Sequence, residues 1–361
     1  NKNLFNNFSN IKLFALRGNQ DHQSPLIEKT LRIIKYYYRL INYAITTDSK
    51  IFHIQWLNKF IFFDRTFLML FYKMLGKKII FTAHDIDSKL MNANSATSLS
   101  SKSNVFTYLS QLVMYKFVDC VVAHTSKIAE ELKNRYHVSE RKIFIIPHGI
   151  NNYIKSNSIT KKIARDKLGL PQDSKILLFF GNISPYKGVD IFADALIKLK
   201  QIDQSIFGII AGKPKNCDNY MQTVRDKLKN ESNVIIKDKF IPDNEVEILF
   251  KASDCLCMPY RYIYQSGILF LAYSMGIPII ASSAGSFKEE VQNNPSLGIV
   301  YEPNNPEKLA NAICSFFDSS FYKDSDMISK KIIKYGKEHY SWEIIANKTF
   351  QMYLRIELNN G

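Results

Sequence analysis

Apolar positions in this chain alternate between two spacings. Short, nearly continuous apolar runs stand at residues 50–55, 78–82, 120–124, 143–146, 175–180, 205–211, 234–237, 254–258, 279–281 and 297–301. Runs of this kind predict strands buried on both faces, as in a parallel sheet. A further candidate strand covers residues 10–16. Between the runs, apolar residues recur at helical spacing over 26–45, 105–117, 126–136, 163–168, 190–199, 221–228, 268–275, 306–317, 327–335 and 341–358, with another helix ending near Ala252. Ser126 is expected to cap the helix that it opens. Regular alternation of strand and helix predicts an α/β chain. Its 361 residues suffice for two domains. Residues 151–162 are polar and read as the linker between a first domain, 1–150, and a second, 151–338.

The stretch from Met258 to Ser282 organises the second half. It reads as strand end, polar loop, apolar helix, turn and strand. Gly276 suits the left-handed position after the helix, and Pro278 stops it. A helix that begins at Ser266-Gly267 leaves its first amide groups unpartnered, and Gly267 lets a ligand come close to them. Those amides and the helix dipole form an anion site. Arg261 adds a planar cation suited to phosphate. Upstream, the strand at 175–180 runs into a glycine loop from Gly181 to Asp190 and then a helix, again a phosphate-binding order. Lys187 would supply its positive charge. A capped helix in a buried core, with a solvated lysine, is the plainer alternative for these residues.

In the first half, the T-A-H-D segment at 82–85 ends a strand, where ligands collect in open α/β sheets. His84 stands at that end, whereas His53, between Phe52 and Ile54, suits a satisfied core histidine. Asp85 can orient an imidazole or accept a bond from a hydroxyl, or simply cap the next helix. Residues 91–104 read as a mobile loop beside the cleft. His148, in the P-H-G turn that closes this half, faces the cleft or serves the turn.

Composition narrows the partners. Net charge is +15, and residues 1–150 hold 21 basic against 10 acidic side chains, a balance of +11. Such a basic half points to a polyanion or an anionic membrane surface. The chain shows no helix-turn-helix, zinc-finger or RNP pattern, so nucleic acid is not expected. Residues 55–78 interleave Trp56, Phe60, Phe62, Phe63, Phe67 and Phe71 with lysines and Arg65. They fit either a helix lying in lipid headgroups or a helix packed on its own sheet. The odd number of cysteines, five, argues against a disulfide framework and points to a reducing, cytoplasmic compartment. No run of 18 uncharged apolar residues is present, so no spanning helix is expected. The sequence opens at Asn1 with no strand, glycine turn and helix before Phe5, and part of a natural N-terminus is expected to be missing.

The pattern P-Y-R-x-x-x-Q-S-G-x-x-x-x-A-Y-x-x-G-x-P, from Pro259 to Pro278, resembles the donor-phosphate loop of a Q-S-G branch of the family-4 retaining glycosyltransferases. The likeness extends over nearly the whole chain. It implies the GT-B fold, two Rossmann-like domains facing a central cleft, with a last helix at 339–361 that crosses back to the first domain. It implies transfer of a sugar from a UDP- or GDP-sugar to a glycan or lipid-linked acceptor, in cell-surface polysaccharide or glycolipid synthesis. The enzyme would act at the inner face of a membrane, with retention of configuration. Donor diphosphate would rest on Lys187, Arg261, Gln265, Ser266, Gly267 and Ile268, and the nucleotide base on backbone groups near Phe240 and Ile241. His84 and Asp85 would serve the transferred sugar and the acceptor. No metal and no cofactor beyond the donor are expected, because D-I-D at 85–87 lies in the acceptor half. Two departures stand out. The paired glutamates of most relatives are absent, with Leu271 at the second position and Ile263 and Tyr264 near the first. The usual Arg is also absent at Asn182 or Ser184. These gaps motivate two alternatives, a non-catalytic scaffold of the same fold and a sugar-nucleotide epimerase.

Overall fold

A computed structural model of the chain describes residues 11, 12, 14, 16, 24–58, 60–86, 105–151, 154, 159–292, 294 and 297–358. Two parallel sheets organise it. The first holds β1 (Ile51–Ile54), β2 (Lys78–Ala83), β3 (Cys120–Ala123) and β4 (Ile143–Ile145), side by side in that order. The second holds β5 (Lys175–Phe180), β6 (Ile206–Ala211), β7 (Val234–Lys237), β8 (Cys255–Met258), β9 (Ile279–Ser282) and β10 (Gly298–Tyr301). Its spatial order is β10-β9-β8-β5-β6-β7. The order reverses between β5 and β8, and such a switch point opens a crevice at the carboxyl ends of the strands.

The periodicity explains these elements. Strand β5 is K-I-L-L-F-F, and its four central residues are buried because helices cover both faces of the sheet. Separate apolar cores lie on its two sides, one around Leu178 and Phe270, the other around Phe179 and Phe192. The helix Trp342–Leu358 returns to the first sheet and packs Ile345, Met352 and Ile356 against Ile80, Cys120 and Val122.

Three local expectations change. Residues 11, 12, 14 and 16 belong to no strand; Phe14 instead packs on Tyr43 of the helix Leu26–Thr46, with ring centroids 5.3 Å apart. An apolar segment becomes a strand only where a sheet edge pairs with it. Thr125, not Ser126, caps the helix Ser126–Tyr136 and accepts from the amide of Ile128. Residues 55–78 pack only in part on their own sheet. The helical run Ile61–Phe63, Asp64–Leu68 and Met69–Met74 buries Leu68, Met69 and Tyr72 but exposes Phe62, Phe67 and Met74. The middle stretch is π-helical, and its Asp64 is buried where it accepts from Tyr37 at 2.8 Å. Residues 91–104 and Asp87 lie outside the described residues.

The two halves touch through the loop that precedes the helix Gly267–Met275. Tyr264 is fully buried in the core of the first half, and its hydroxyl donates to Glu131 at 2.7 Å. Tyr262 reaches the same carboxylate at 3.3 Å. Nearby, Ser126 donates to Glu289 at 2.7 Å.

Candidate functional site

A cleft of about 790 Å³ opens where the halves meet. His148 to Asn151 and Trp342 form one wall, and Tyr186, Lys187, Tyr260, Gln265 and Ser266 to Ile268 form the other. The loop after β5 ends in a short turn, Pro185–Lys187, followed by Gly188 at φ 69°. A side chain there would strike the carbonyl oxygen of Pro259 at 2.1 Å, so glycine lets the two cleft loops close on each other.

Lys187 is the charge at the cleft floor. It is buried, and its ammonium lies 5.4 Å from the centre of the Tyr260 ring. Among the described residues no carboxylate pairs with it. Burial, then the nearby charge of Lys215, push its pKa down to about 8. Lys215 stands close because residues 213–215 hydrogen-bond alongside Ile183, next to the loop that carries Lys187. A desolvated, unpaired ammonium is costly, and an anion in the cleft would remove that cost.

The helix Gly267–Met275 aims its N-terminus into the same space. Ser266 precedes it, but no side chain caps it. Nothing lies within 4 Å of where a Cβ on Gly267 would sit, so the amide end is open. Gln265 lines the cleft, and among the described residues its buried amide nitrogen has no hydrogen-bond partner, nor does the hydroxyl of Tyr260. Open amides, two idle donors and a buried cation form a site for an anionic, oxygen-rich ligand.

Arg261 departs from the expectation of a free phosphate fork. Its two terminal nitrogens hold Asp190 at 2.9 and 2.6 Å, and one also donates to the carbonyl of Pro185. It does not line the cleft. Burial works against the Asp190 carboxylate, yet hydrogen bonds from Arg261 and Tyr220 hold its pKa below the usual range. Arg261 therefore ties the Lys187 loop to its own loop. Of the two residues suggested for the base, Phe240 is exposed and Ile241 is buried in the core, and neither side chain lines the cleft. Asp243, at the start of the helix Asp243–Ala252, does line it.

On the first half, His84 stacks on Trp56, with ring centroids 4.1 Å apart and planes 4° from parallel. Its Nδ1 lies 3.1 Å from Nε2 of His124, and its Nε2 lies 3.2 Å from Gln55. Burial, then His124, His148 and His53, push its pKa down to about 4, so the ring is neutral at pH 7. His53 sits behind Gln55 and bonds Thr82 and Tyr353, which makes it a satisfied structural group. Asp85 has its pKa raised by burial, opposed by Lys215 of the second half. The histidine cluster reaches the cleft through His148, whose ring lies 6.1 Å from that of His124 and stacks on Phe270 at 5.6 Å. Sequence reading missed Asp190, Glu131 and His124 because each acts through a partner distant in the chain.

Comparison with known proteins adds a family. The family model described as glycosyl transferases group 1 matches residues 160–339, and that of glycosyltransferase family 4 matches residues 18–152. An uncharacterized glycosyltransferase of Methanocaldococcus jannaschii is 25% identical over 241 residues, which is 66% of this chain and 60% of that protein. A D-inositol 3-phosphate glycosyltransferase of Streptomyces avermitilis is 24% identical over 256 residues, covering 68% of this chain and 53% of that protein. The chain therefore spans less than two thirds of the length of either relative. Anabaena HepE, crystallised with UDP-glucose, shares 15% identity and a TM-score of 0.70 over 92% of this chain and 84% of its own. At that identity the likeness is one of fold, two parallel-sheet Rossmann-like domains in the GT-B arrangement.

Proposed function

Because the chain carries a glycosyltransferase family 4 domain followed by a glycosyl transferases group 1 domain, we propose that it moves a sugar from a nucleotide-sugar donor to a hydroxyl-bearing acceptor. One observation carries this reading. A buried lysine that pairs with no carboxylate among the described residues meets an uncapped helix N-terminus in the cleft between the halves. The donor diphosphate rests on Lys187 and the amides of Ser266, Gly267 and Ile268, with Gln265 beside it. These groups stabilise the charge that grows on the leaving diphosphate. Arg261 acts at one remove, holding the loop of Lys187 through Asp190. The HepE complex with UDP-glucose supports a donor of the UDP-sugar type.

The acceptor enters from the first half, past Trp56, His84 and Asp85. Transfer proceeds with retention, the leaving phosphate taking the proton of the incoming hydroxyl. The reading requires no metal at the diphosphate. The acceptor is a glycan or lipid-linked sugar, and the enzyme works from the cytoplasmic face of a membrane. Exposed apolar residues on the helix Leu26–Thr46 and around Phe62 and Phe67, with the +11 balance of residues 1–150, support that placement.

Thermal shift with UDP- and GDP-sugars, followed by donor turnover with and without EDTA, tests the proposal. A bound donor raises Tm by mass action, and turnover is expected to survive the chelator. Binding without turnover would instead favour the non-catalytic scaffold. Loss of turnover with EDTA, restored by manganese, would reveal a metal requirement. Failure of every nucleotide sugar to shift Tm would overturn the donor site.

A further inference from the structure

His124 lies just beyond β3, behind His84, and the donor site makes no use of it. Its Nδ1 is 2.8 Å from the carbonyl oxygen of Ile146. A carbonyl oxygen only accepts, so this Nδ1 carries the hydrogen. Burial lowers the pKa of His124, the Ile146 bond opposes that, and His148 adds to it; the ring is neutral at pH 7. A neutral imidazole has one N–H, which leaves a lone pair on Nε2. That Nε2 lies 3.1 Å from Nδ1 of His84, so His84 must supply the hydrogen between them. The single N–H of neutral His84 is then spent on His124.

We propose that His124 is a positioning residue that locks His84 as its Nδ1–H tautomer, so that His84 presents Nε2 as an acceptor to a sugar hydroxyl. The proposal rests on the glycosyltransferase reading only in taking the ligand to be a sugar.

The rest of the cluster agrees with this direction. Gln55 stands with Oε1 3.2 Å from Nε2 of His84 and its nitrogen 3.0 Å from Nε2 of His53, and the two ends of an amide are told apart only by the hydrogens around them. Turned end for end, the amide donates to Nε2 of His84 and accepts from His53; a sugar hydroxyl that donates to Nε2 takes the amide's place. Nδ1 of His53 then accepts from the hydroxyl of Tyr353 at 2.6 Å. The hydrogen on Nε2 of His53 then lies between Gln55 and the Thr82 oxygen, 2.8 Å away, and with Thr82 accepting, no two donors and no two acceptors face each other from Tyr353 to Ile146. The parallel stack on Trp56 holds the plane of the His84 ring, so the tautomer also sets the direction of the lone pair. The reverse tautomer of His84 would turn a donor toward the ligand and set two lone pairs against each other at His124.

The experiment is a two-bond proton–nitrogen correlation spectrum of the full chain labelled with 15N-histidine at pH 7. His84 is expected in the Nδ1–H pattern. His124→Phe should move it toward the Nε2–H pattern, and His124→Gln, whose amide oxygen can accept from His84, should restore it. Turnover should follow, with kcat lower by about tenfold or more in His124→Phe, donor KM unchanged, and partial recovery in His124→Gln. A wild-type His84 in the Nε2–H pattern, or one that ignores His124→Phe, would overturn the proposal. If the Phe variant does not fold, the wild-type spectrum decides alone. If no sugar is transferred at all, the tautomer result still stands and only the assigned ligand fails.

Discussion

Lys187 shows how one residue links burial to ligand binding. Its pKa falls from an ordinary 10.5 to about 8, first because of burial and then because of Lys215. The cost of burying the ammonium is full below pH 8 and fades as pH rises toward 10.5, so this group's contribution to apo stability improves across that window. Donor binding has the opposite sign, since an anion favours the charged form. The affinity for UDP should therefore weaken by about tenfold per pH unit above pH 8, until the higher pKa of the bound state is reached. Calorimetric titrations with UDP between pH 7 and 10 check this. Lys187→Met should abolish the slope and weaken binding at pH 7 by about 1.5–3 kcal/mol, the value of a charge-assisted hydrogen bond. A wild-type affinity that stays level from pH 7 to 10 would remove Lys187 from the diphosphate. The identity of this lysine was legible from the glycine loop around it. Its lack of a partner was not, because that depends on where every carboxylate lies.

At the scale of elements, the helix Gly267–Met275 and its turn were readable in the residues. Gly276 adopts φ 68°, as the left-handed stop requires. Gly267 and Gly188 separate two uses of glycine. A Cβ on Gly267 meets nothing within 4 Å, whereas one on Gly188 meets the Pro259 carbonyl at 2.1 Å with φ +69°. Gly267→Ala should keep or slightly raise Tm, since alanine favours a helix, yet weaken UDP binding because the methyl fills the ligand's place. Gly188→Ala should lower Tm, by strain of about 1–3 kcal/mol. Scanning calorimetry and titration of both variants separate the cases. Full UDP affinity in Gly267→Ala would show that the phosphate does not approach that amide. Arg261 marks the limit of reading one element by itself. A guanidinium six positions before Gly267 looked available, but Asp190, 71 residues earlier, holds it.

At the scale of the whole molecule, the first half carries exposed aromatic residues and an excess of basic ones. Phe62 and Phe67 are 54% and 62% exposed although other residues of the same run are buried. With a balance of +11 over residues 1–150, and about 1 kcal/mol from each basic residue near an anionic surface, reversible docking to anionic lipid is expected. Sedimentation with vesicles of graded phosphatidylserine content should rise with anionic lipid and weaken in salt. The Phe62→Ser, Phe67→Ser double variant should bind less while its Tm stays close to wild type. No sedimentation at low salt would leave the charge to an acidic acceptor. The same scale holds the clamp of Tyr264 on Glu131, which seats the loop of one half in the core of the other.

Local periodicity by itself determined the order of the strands β1 to β10, the α/β class and the loops that line the cleft. Apolar spacing, glycine stops and strand ends are properties of neighbouring residues, so a single chain displays them. Tertiary structure decided which charged and polar groups those loops leave free. It turned Arg261 inward, left Lys187 without a partner, put His124 behind His84 and drew Thr125 rather than Ser126 to the helix cap. The first three depend on distances between residues far apart in the chain, over which hydrogen bonding and desolvation act regardless of sequence separation; the cap is local and follows from the extended backbone of Thr125.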